Sequence, residues 1–429
     1  MRETKIPFFK RLTKAQDGNA LMLCALALPA LVGAGGLAMD TIQWTLMQRQ
    51  MQRQADSAAL AGAFARAQGN SHDAAATDSL TRDNLLALSS TEIKLTPMTV
   101  EGQTVQTVHV ILESESTLPF SNLFLGRTTT LHVEANATSV TNGEYCVISL
   151  EPNSYNGAIN LQGSASVSMG CGMSTNSRGS SALTASGSSM VTATHLAAVG
   201  GLKASSKNIA QGTTLVPYSV AQSDPFASLP TPSSLPNPCN TQLSVASNTT
   251  KNFTPGCYQA GTIQGTANLS PGIYYIDGGT LKVNAGAVVN GTGVTFILTS
   301  KTAANSPSTI ARVDINGGAT LNLSAPSTTT CAGTTCDYAD VLFYQDRRAV
   351  LPNGNSSNVI NGNATSTLQG AIYFPKQTVE FSGNSGMVTN CVQIVSRRVT
   401  FIGNNNIVNE CPIEYDTDRF MGTRVYLVG

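Results

Sequence analysis

The stretch TLKVNAGAVVNGTGVTFIL, at Thr280–Leu298, sets the fold class of most of this chain. Apolar and polar residues alternate in short runs, and Gly and Asn separate one run from the next. Alternation with a period of two is the pattern of a β-strand, and Gly and Asn favour tight turns. The stretch therefore predicts several short strands that follow one another closely.

The same texture recurs from Cys146 to about residue 412. Comparable stretches are Ala158–Gly170, Ala182–Gly200, Ala311–Ala325, Leu368–Asn384 and Val392–Asn404. Short strands rich in small residues, turning after similar intervals, favour a parallel β-helix-like solenoid over residues 146–412. A β-sandwich or jelly roll is the alternative.

Proline interrupts this pattern at residues 216–255. The prolines are Pro217, Pro225, Pro230, Pro232, Pro236, Pro238 and Pro255. Because proline has no amide hydrogen to donate, it is excluded from central strands. We expect an excursion or linker over the surface that divides the strand-rich region into two blocks. Whether both blocks belong to one solenoid stays open at this point.

Composition supports an extracytoplasmic β-rich protein. Charged residues make up 12% of the chain, about half the usual share, and Gly is abundant at 38 residues. The formal net charge is zero, and basic residues concentrate at the amino terminus. A protein that neutralises nucleic-acid phosphates needs a basic stripe elsewhere, so we expect no nucleic-acid partner.

An uncharged stretch, GNALMLCALALPALVGAGGLAM, begins at Gly18 and ends before Asp40. About 20 apolar residues span a bilayer, so residues 18–40 are predicted as a transmembrane helix. Five Lys or Arg residues lie within residues 1–17. By the positive-inside rule this basic tail stays in the cytoplasm and the rest of the chain lies outside. The alternative is a cleaved signal peptide with small residues at 34–36, but its apolar region is usually shorter.

The segment after the span, residues 41–68, is composed of good helix formers. Small residues recur on one face of this predicted helix, namely Ala55, Ala58, Ala59 and Gly62. Such a face lets another backbone approach closely. The alternatives are contact with the chain's own domain and contact with a partner helix.

Two motifs carry a resemblance to a known family. They are GGLAMD at Gly35–Asp40 and QADSAALAGA at Gln54–Ala63. Their order after an apolar span resembles the TadG-like components of Tad/Flp pilus-assembly systems. The likeness covers roughly the first 140 residues and implies a role in pilus assembly.

The resemblance also implies a small α+β region at residues 41–145. A second helical stretch is predicted at Ala74–Leu88, and alternating strands at Val105–Leu112 and Thr130–Ala137 flank the short apolar segment Leu118–Gly126. Two features of the family or its relatives are missing. The sequence has no metal-binding Asp-x-Ser-x-Ser motif, and the fifth residue after Gly18 is leucine rather than glutamate. We therefore expect neither a metal site nor processing into a fibre subunit.

Nine cysteines are present, and eight lie beyond the predicted span, which holds Cys24. An even number in an oxidising compartment predicts disulfides. A nearest-neighbour scheme gives Cys146–Cys171, Cys239–Cys257, Cys331–Cys336 and Cys391–Cys411. A zinc site is the alternative, but the sequence has no Cys-x-x-Cys pair and the histidines are scattered.

The sequence lacks the phosphate-binding, zinc-protease and nucleophile-elbow motifs. The best constellation for chemistry contains Asp337, Asp340, Asp346, Arg347, Arg348, Lys376, Arg397 and Arg398. Solvated turn charges and salt bridges explain it as well as a carbohydrate-active site does. We expect no enzyme activity, no catalytic residue, no cofactor and no metal.

The favoured interpretation is a membrane-anchored, mainly β structural component of Tad/Flp pilus assembly. It comprises a transmembrane helix, a small α+β region, the solenoid and a tail at residues 413–429. We expect it in the bacterial inner membrane, crossing once, with most of the chain in the periplasm or outside the cell. Pilus-assembly proteins are the expected partners. The alternatives are a glycan-binding surface adhesin and, less favoured, a carbohydrate-active enzyme.

Overall fold

The structure is a computed structural model. The chain forms two compact units. The described residues are 19–82, 87–100, 102–126, 128–328, 331, 333–351, 358–363, 365–383, 386–389, 391–404, 406–409 and 421–428. The first unit takes the described residues up to Ser139 together with those from Val425 onward. The second unit is Val140–Arg424.

The described residues of the first unit form three helices. Helix α1 is Asn19–Ala67, α2 is His72–Arg82 and α3 is Pro119–Leu125. The predicted span and the predicted juxtamembrane helix are thus one continuous helix that contains Pro29. The last turn of α3 ends at Gly126, whose φ of 61° is the left-handed conformation that glycine adopts without a side-chain clash.

The first unit's sheet is antiparallel. Strand β1 is Ser90–Val100, β2 is Gln103–Ser116 and β3 is Thr129–Ser149. Strand β2 pairs with β1 on one edge and with β3 on the other. Its residues Val108, Val110 and Leu112 lie at alternate positions and are buried in one core with residues of α1, because alternate residues of a strand point to the same side. This confirms the mixed helical and strand character expected here.

Most strands of the second unit are short, as its texture predicted, and the long ones among the described residues are Thr367–Gly383 and Val392–Gly403. In chain order these are β4 Ile159–Leu161, β5 Ser166–Ser168, β6 Gly172–Thr175, β7 Leu183–Ala185, β8 Met190–Thr192, β9 His195–Ala198, β10 Leu202–Ala204, β11 Thr214–Pro217, β12 Thr250–Phe253, β13 Gly256–Gln259, β14 Thr262–Ile263, β15 Thr266–Leu269, β16 Gly272–Asp277, β17 Thr280–Val283, β18 Val288–Thr292, β19 Val294–Thr299, β20 Arg312–Ile315, β21 Thr320–Ser324, β22 Val341–Gln345, β23 Asn358–Ile360, β24 Thr367–Gly383, β25 Gly386–Thr389, β26 Val392–Gly403, β27 Asn406–Asn409 and β28 Met421–Val428. Short 3-10 helices lie at Ser206–Asn208, Pro307–Thr309 and Gly333–Tyr338. Strand β28 lies within the predicted tail at 413–429, and its last residues belong to the first unit.

Strands β12 to β21 each pair in parallel with the strand three places further along the chain. One column runs through β12, β15, β18, β21 and the start of β24. A second runs through β13, β16, β19, β22 and β24. A third runs through β14, β17, β20, β23 and the end of β24. Each group of three strands therefore lies directly on the next group.

The two blocks on either side of the proline-rich segment join out of sequence order. Strand β26 pairs in parallel with β24 on one side and with β3 and β4 on the other. Strand β27 pairs with β5. From there β3, β4 and β5 continue to β6, β7 and β8, and β6 and β7 continue to β9 and β10. The carboxyl-terminal end of the second block thus lies on the start of the first block.

Residues 218–249, called the strap from here on, lead from β11 to β12. Nine successive pairings separate β11 from β13 in the second column. At ~4.8 Å per pairing this is about 43 Å. An extended chain of this length reaches about 100 Å, so the strap can pass along the whole stack.

Polar and apolar ladders run along the stack. The Asn side chains of the first column form a chain of amide hydrogen bonds through Asn252, Asn268, Asn290 and Asn322, each 2.8–3.0 Å long. Inside, aromatic rings lie over one another, as with Phe296 and Phe343 at 5.1 Å between ring centres. Parallel in-register pairing places like residues above each other, so each amide meets a matching partner.

Candidate functional site

The first half of α1 is a candidate membrane span. Its most apolar 18-residue window has a mean hydropathy of 2.0, and none of that window is buried within the protein. Large apolar side chains such as Leu26 and Leu31 are 69% and 72% exposed. Such a surface is unfavourable in water and suits hydrocarbon.

Helix α3 is held against α1 at the end of the apolar stretch. The carboxylate of Asp40, which is 3% exposed, accepts hydrogen bonds from the backbone amides of Phe120, at 3.2 Å, and Ser121. These amides are in the first turn of α3 and have no partner within the helix. The Phe120 ring lies against Gly36, where a side chain would collide with it. The two contacts fix α3 beside one turn of α1.

The predicted small-residue face of α1 is occupied by the chain itself. Ala55, Ala58 and Ala59 are fully buried in a core that includes Val108 of β2. A side chain on Gly62 would lie 2.9 Å from Val108 and 3.2 Å from the carbonyl oxygen of His72. Of the two alternatives, contact with the chain's own domain describes the structure, and this face is not free for a partner helix.

Enlarging Ala58 should therefore loosen the first unit. Ala58→Leu inserts a branched side chain into a filled contact, and we expect a loss of about 1–3 kcal/mol of unfolding free energy. Faster hydrogen exchange at the β2 amides, measured by mass spectrometry on the full chain, would show it. Ala61→Leu, at a partly exposed position one turn along, is the matched control. Equal exchange in both variants would contradict this packing.

The strap is fastened to the stack by two arginines. Arg347 donates through Nη1 to the carbonyl of Leu229 at 2.9 Å and through Nη2 to that of Phe226, while its Nε donates to the Tyr373 hydroxyl at 2.8 Å. Arg348 donates to the Pro232 carbonyl at 2.8 Å. The fork of guanidinium donors thus replaces the backbone pairing that the strap's prolines lack.

Three tyrosines of the second unit lie under the strap. Tyr344 and Tyr373 are fully buried, and their rings are 5.5 Å apart. Tyr338 packs edge-on against Tyr344 and donates to the Pro230 carbonyl at 2.8 Å. Tyr373 donates to Asp224 of the strap at 2.8 Å. The tyrosines therefore hold the strap rather than forming an open aromatic surface.

Asp346 is the buried counter-charge of this region. It is fully buried, pairs with Arg348 at 2.6 Å and accepts from the Thr299 hydroxyl at 2.6 Å. Burial alone would raise the pKa of Asp346, but the hydrogen bonds from Arg348 and Thr299 outweigh it and hold that pKa below its ordinary value. The carboxylate is consequently charged at neutral pH and is satisfied by its neighbours.

Arg397 and Arg398 have a different partner, Glu151. The fully buried carboxylate of Glu151 accepts from the Nε atoms of Arg397 at 2.9 Å and Arg398 at 2.7 Å. The Arg398 guanidinium also lies 3.4 Å from the centre of the Tyr155 ring. Sequence reasoning missed Glu151, although it is the one acidic residue between Glu144 and Asp224, which is an informative signal in so uncharged a segment.

The charged residues singled out in the sequence do not share one site. Asp346 forms an ion pair with Arg348. Arg397 and Arg398 both pair with Glu151, and Lys376 is exposed. In the part of the chain that the structure describes, no group of three or more His, Cys, Asp or Glu residues is placed to hold a metal ion. A pocket of about 270 Å³ lies between the strap and the stack, and most of its lining residues are Ser, Pro and Thr.

His195 is a buried base that sequence reasoning left unassigned. Its ring is 4.4 Å from that of Tyr145 and its Nδ1 is 2.9 Å from the Thr194 hydroxyl. Within the described residues its Nε2 is buried without a hydrogen-bond partner. Burial, with a smaller contribution from Arg424, lowers the pKa of His195 to about 4. His195 is therefore neutral wherever the second unit is folded near neutral pH.

The second unit should lose stability in mild acid because of His195. The unfolded chain takes up a proton near pH 6.5, whereas the folded unit resists it until about pH 4. Between these two values the free energy of unfolding decreases as the pH decreases. We expect it to be about 2 kcal/mol lower at pH 5 than at pH 7.5. Urea unfolding followed by hydrogen exchange at β9 measures this. His195→Gln should flatten the dependence, whereas His132→Gln, at an exposed site, should leave it; an unchanged slope in His195→Gln contradicts the prediction.

Three cysteine pairs of the nearest-neighbour scheme lie at disulfide distance. Their Cα separations are 5.8 Å for Cys146 and Cys171, 4.8 Å for Cys239 and Cys257, and 5.1 Å for Cys331 and Cys336. The second of these joins the end of the strap to β13. Cys391 is also disulfide-bonded. Its predicted partner Cys411 lies outside the described residues, so that pairing stays a prediction.

With this geometry in view, comparison with known proteins defines the class of the amino-terminal segment. Residues 18–68 match the model of a family described as putative Flp pilus-assembly TadE/G-like. This confirms the resemblance that the two motifs predicted, over about an eighth of the chain, and the chain carries a TadE/G-like domain there. No curated protein and no solved structure matches the chain. The family domain supports a role in pilus assembly.

Proposed function

We propose that this protein is a membrane-anchored structural component of Tad/Flp pilus assembly. Its single span would hold it in the bacterial inner membrane, and the chain after Asp40 would lie on the far side of that membrane from the basic amino terminus. The observation that carries the proposal is the TadE/G-like match at residues 18–68, which coincides with the exposed apolar half of α1 and its continuation.

The proposed location outside the cytoplasm rests on charge and cysteine chemistry. The five basic residues before Asp17 favour a cytoplasmic amino terminus. Cysteine pairs at disulfide distance in the second unit suit an oxidising compartment. The two arguments are independent, and both favour the periplasm or the cell exterior.

We propose that the second unit is a parallel β-helix with three strands in each full turn, acting as a stiff scaffold. The repeated parallel register, the Asn ladder and the stacked Phe rings support this. Such a stack resists bending because each turn is hydrogen-bonded along its length to the next. A scaffold of this kind would present a fixed surface to pilus components.

We also propose that the protein is not an enzyme. The buried carboxylates Glu151 and Asp346 are each paired with arginine. Glu151 joins the two blocks, whereas Asp346 supports the strap, so the two do not form one acidic site.

Glycan binding by an adhesin would favour a group of exposed aromatic rings, yet the clustered Tyr344 and Tyr373 are covered. Tyr155 and Tyr218 are exposed, but the Arg398 guanidinium lies over the Tyr155 ring. The structural role is therefore preferred over the adhesin and the enzyme.

Site-specific photocrosslinking in membranes tests the assembly role. A photoreactive phenylalanine analogue replaces Gln48, an exposed residue of α1 beyond the apolar stretch, and captured proteins are identified by mass spectrometry. We expect Tad or Flp pilus proteins. The same analogue at Lys376, an exposed residue of the second unit, tests whether the scaffold meets the same partners.

A strain that lacks the other pilus-assembly genes is the control for adventitious capture. Failure to recover any pilus-assembly protein from both positions would contradict the assembly role. Recovery of the protein alone, combined with binding of the purified protein to a glycan array, would support the adhesin instead.

A further inference from the structure

Helix α3 is fixed at a defined level of α1. Its Phe120 ring lies against Gly36, and its first-turn amides donate to Asp40, one helical turn further along. Gly36 belongs to the apolar stretch that forms the candidate span. The segment Pro119–Leu125 is thereby brought back to the end of that stretch, although it lies about 80 residues later in the sequence.

The level of this contact corresponds to a membrane boundary. A helix rises 1.5 Å per residue, so Asn19 to Met39 extends about 30 Å, which is the thickness of the hydrocarbon core. Asp40 is the first charged residue after that length. Because its carboxylate is satisfied by the amides of α3, both groups can lie close to hydrocarbon without an unpaired polar atom.

Exposed apolar side chains surround the contact. Leu123 of α3 is 78% exposed, and on α1 Met39, Ile42 and Trp44 are 59%, 56% and 44% exposed. Trp44 lies one turn beyond Asp40 on the same side of α1, and indole rings favour the headgroup layer. A single exposed leucine is ordinary, but this group continues the exposed apolar surface of the span.

We infer that α3 lies in the headgroup–acyl boundary of the bilayer that α1 crosses, as a second point of attachment for the first unit. This rests on the proposed membrane anchoring. The occupant of the surface is phospholipid, because the surface is continuous with the span. Helix α3 has the sequence PFSNLFL and carries no charge, so anionic lipid is not required.

The inference is tested on the full chain reconstituted in phosphatidylcholine vesicles. A fluorophore is attached at Leu123→Cys in a Cys24→Ser background, since Cys24 is the one free cysteine among the described residues. Quenching by iodide from water is compared with that of Leu95→Cys, another exposed leucine of the first unit. We expect quenching at residue 123 to be several-fold weaker and the fluorophore's emission to be blue-shifted. Since Leu123 is largely exposed, its replacement leaves the packing of the unit intact.

Labelling of Cys24 in the otherwise unchanged protein separates the possible failures. If Cys24 is shielded but the fluorophores at residues 123 and 95 are quenched equally, the proposed position of α3 is wrong and the membrane span still stands. A protein partner would then be the occupant of the α3 surface. An accessible Cys24 would overturn the membrane span and this inference together. Shielding of both 24 and 123, with 95 accessible, supports it.

Discussion

Replacing Glu151 with glutamine is expected to destabilise the second unit by about 3 kcal/mol, because it removes the buried counter-charge of two arginines. Arg397 and Arg398 each keep 19% of their side chain exposed, so water relieves part of the penalty. This places the effect at the lower end of the range for broken buried ion pairs. Urea unfolding of the full chain, followed by hydrogen exchange at β3 and β26, measures it.

The matched control is Glu134→Gln in the first unit. Glu134 is 59% exposed and faces His109 at 3.1 Å, and removal of an exposed pair changes stability by less than about 0.5 kcal/mol. A loss of similar size in both variants would show that the buried pair has no special role. Preferential loss of protection at β3 and β26 in the Glu151 variant would identify the junction of the two blocks as the affected region.

The lowered pKa of Glu151 predicts a second loss of stability, at a more acidic pH than the loss caused by His195. Burial would raise the pKa of Glu151, but the bonds from Arg397, Arg398 and Asn153 outweigh burial and hold the pKa below its ordinary value. Its contribution is therefore complete above about pH 4.3 and is lost as the pH falls through the lower folded-state pKa. This window lies below that of His195, so Glu151→Gln should reduce the acid step and spare the milder one.

Arg347→Ala is expected to release the strap. It removes three charge-assisted hydrogen bonds and leaves the carbonyls of Phe226 and Leu229 without these donors, a loss of about 3 kcal/mol for the region. Limited proteolysis should then cut within residues 218–249, and hydrogen exchange there should accelerate. Protection elsewhere in the stack should change less, since its strands keep their own pairing.

Arg347→Lys distinguishes geometry from charge. Lysine keeps the positive charge but lacks the planar fork that reaches two carbonyls and a hydroxyl at once. We expect it to behave much closer to alanine than to the parent protein. Full protection of the strap in the lysine variant would mean that charge alone holds it, and an uncut strap in Arg347→Ala would contradict its role as a fastening.

The helices and strands of this fold were predictable, because short-range sequence patterns determine them. The uncharged run before Asp40 predicted the apolar helix, and alternation such as that at Thr280–Leu298 predicted the strands. The motif at Gln54–Ala63 predicted the family now matched at residues 18–68. In each case neighbouring residues carry the signal, since periodicity and composition act over a few turns.

The long-range arrangement was not predictable from these patterns. Pairing of Ile394 with Val147 joins residues almost 250 positions apart, and apolar strands of similar texture offer many equivalent partners. The small-residue face of α1 was compatible with two partners, the chain's own domain and another helix. Small side chains indicate how closely a neighbour can approach, but they do not identify the neighbour. The charges behaved likewise, because Arg397 pairs with Glu151 rather than with the aspartates nearer in sequence.

The placement of β26 and β27 on β3, β4 and β5 has a consequence for biogenesis. Residues 147–168 are synthesised long before residues 392–409, and the edge of the earlier strands stays unpaired until the later ones are available. Glu151 and Arg397, which lie at that edge, are 246 positions apart. An unpaired strand edge recruits other strands, and distant pairing forms slowly. We therefore expect the newly made second unit to need a holding factor, or rapid completion of the chain, until its last strands pair.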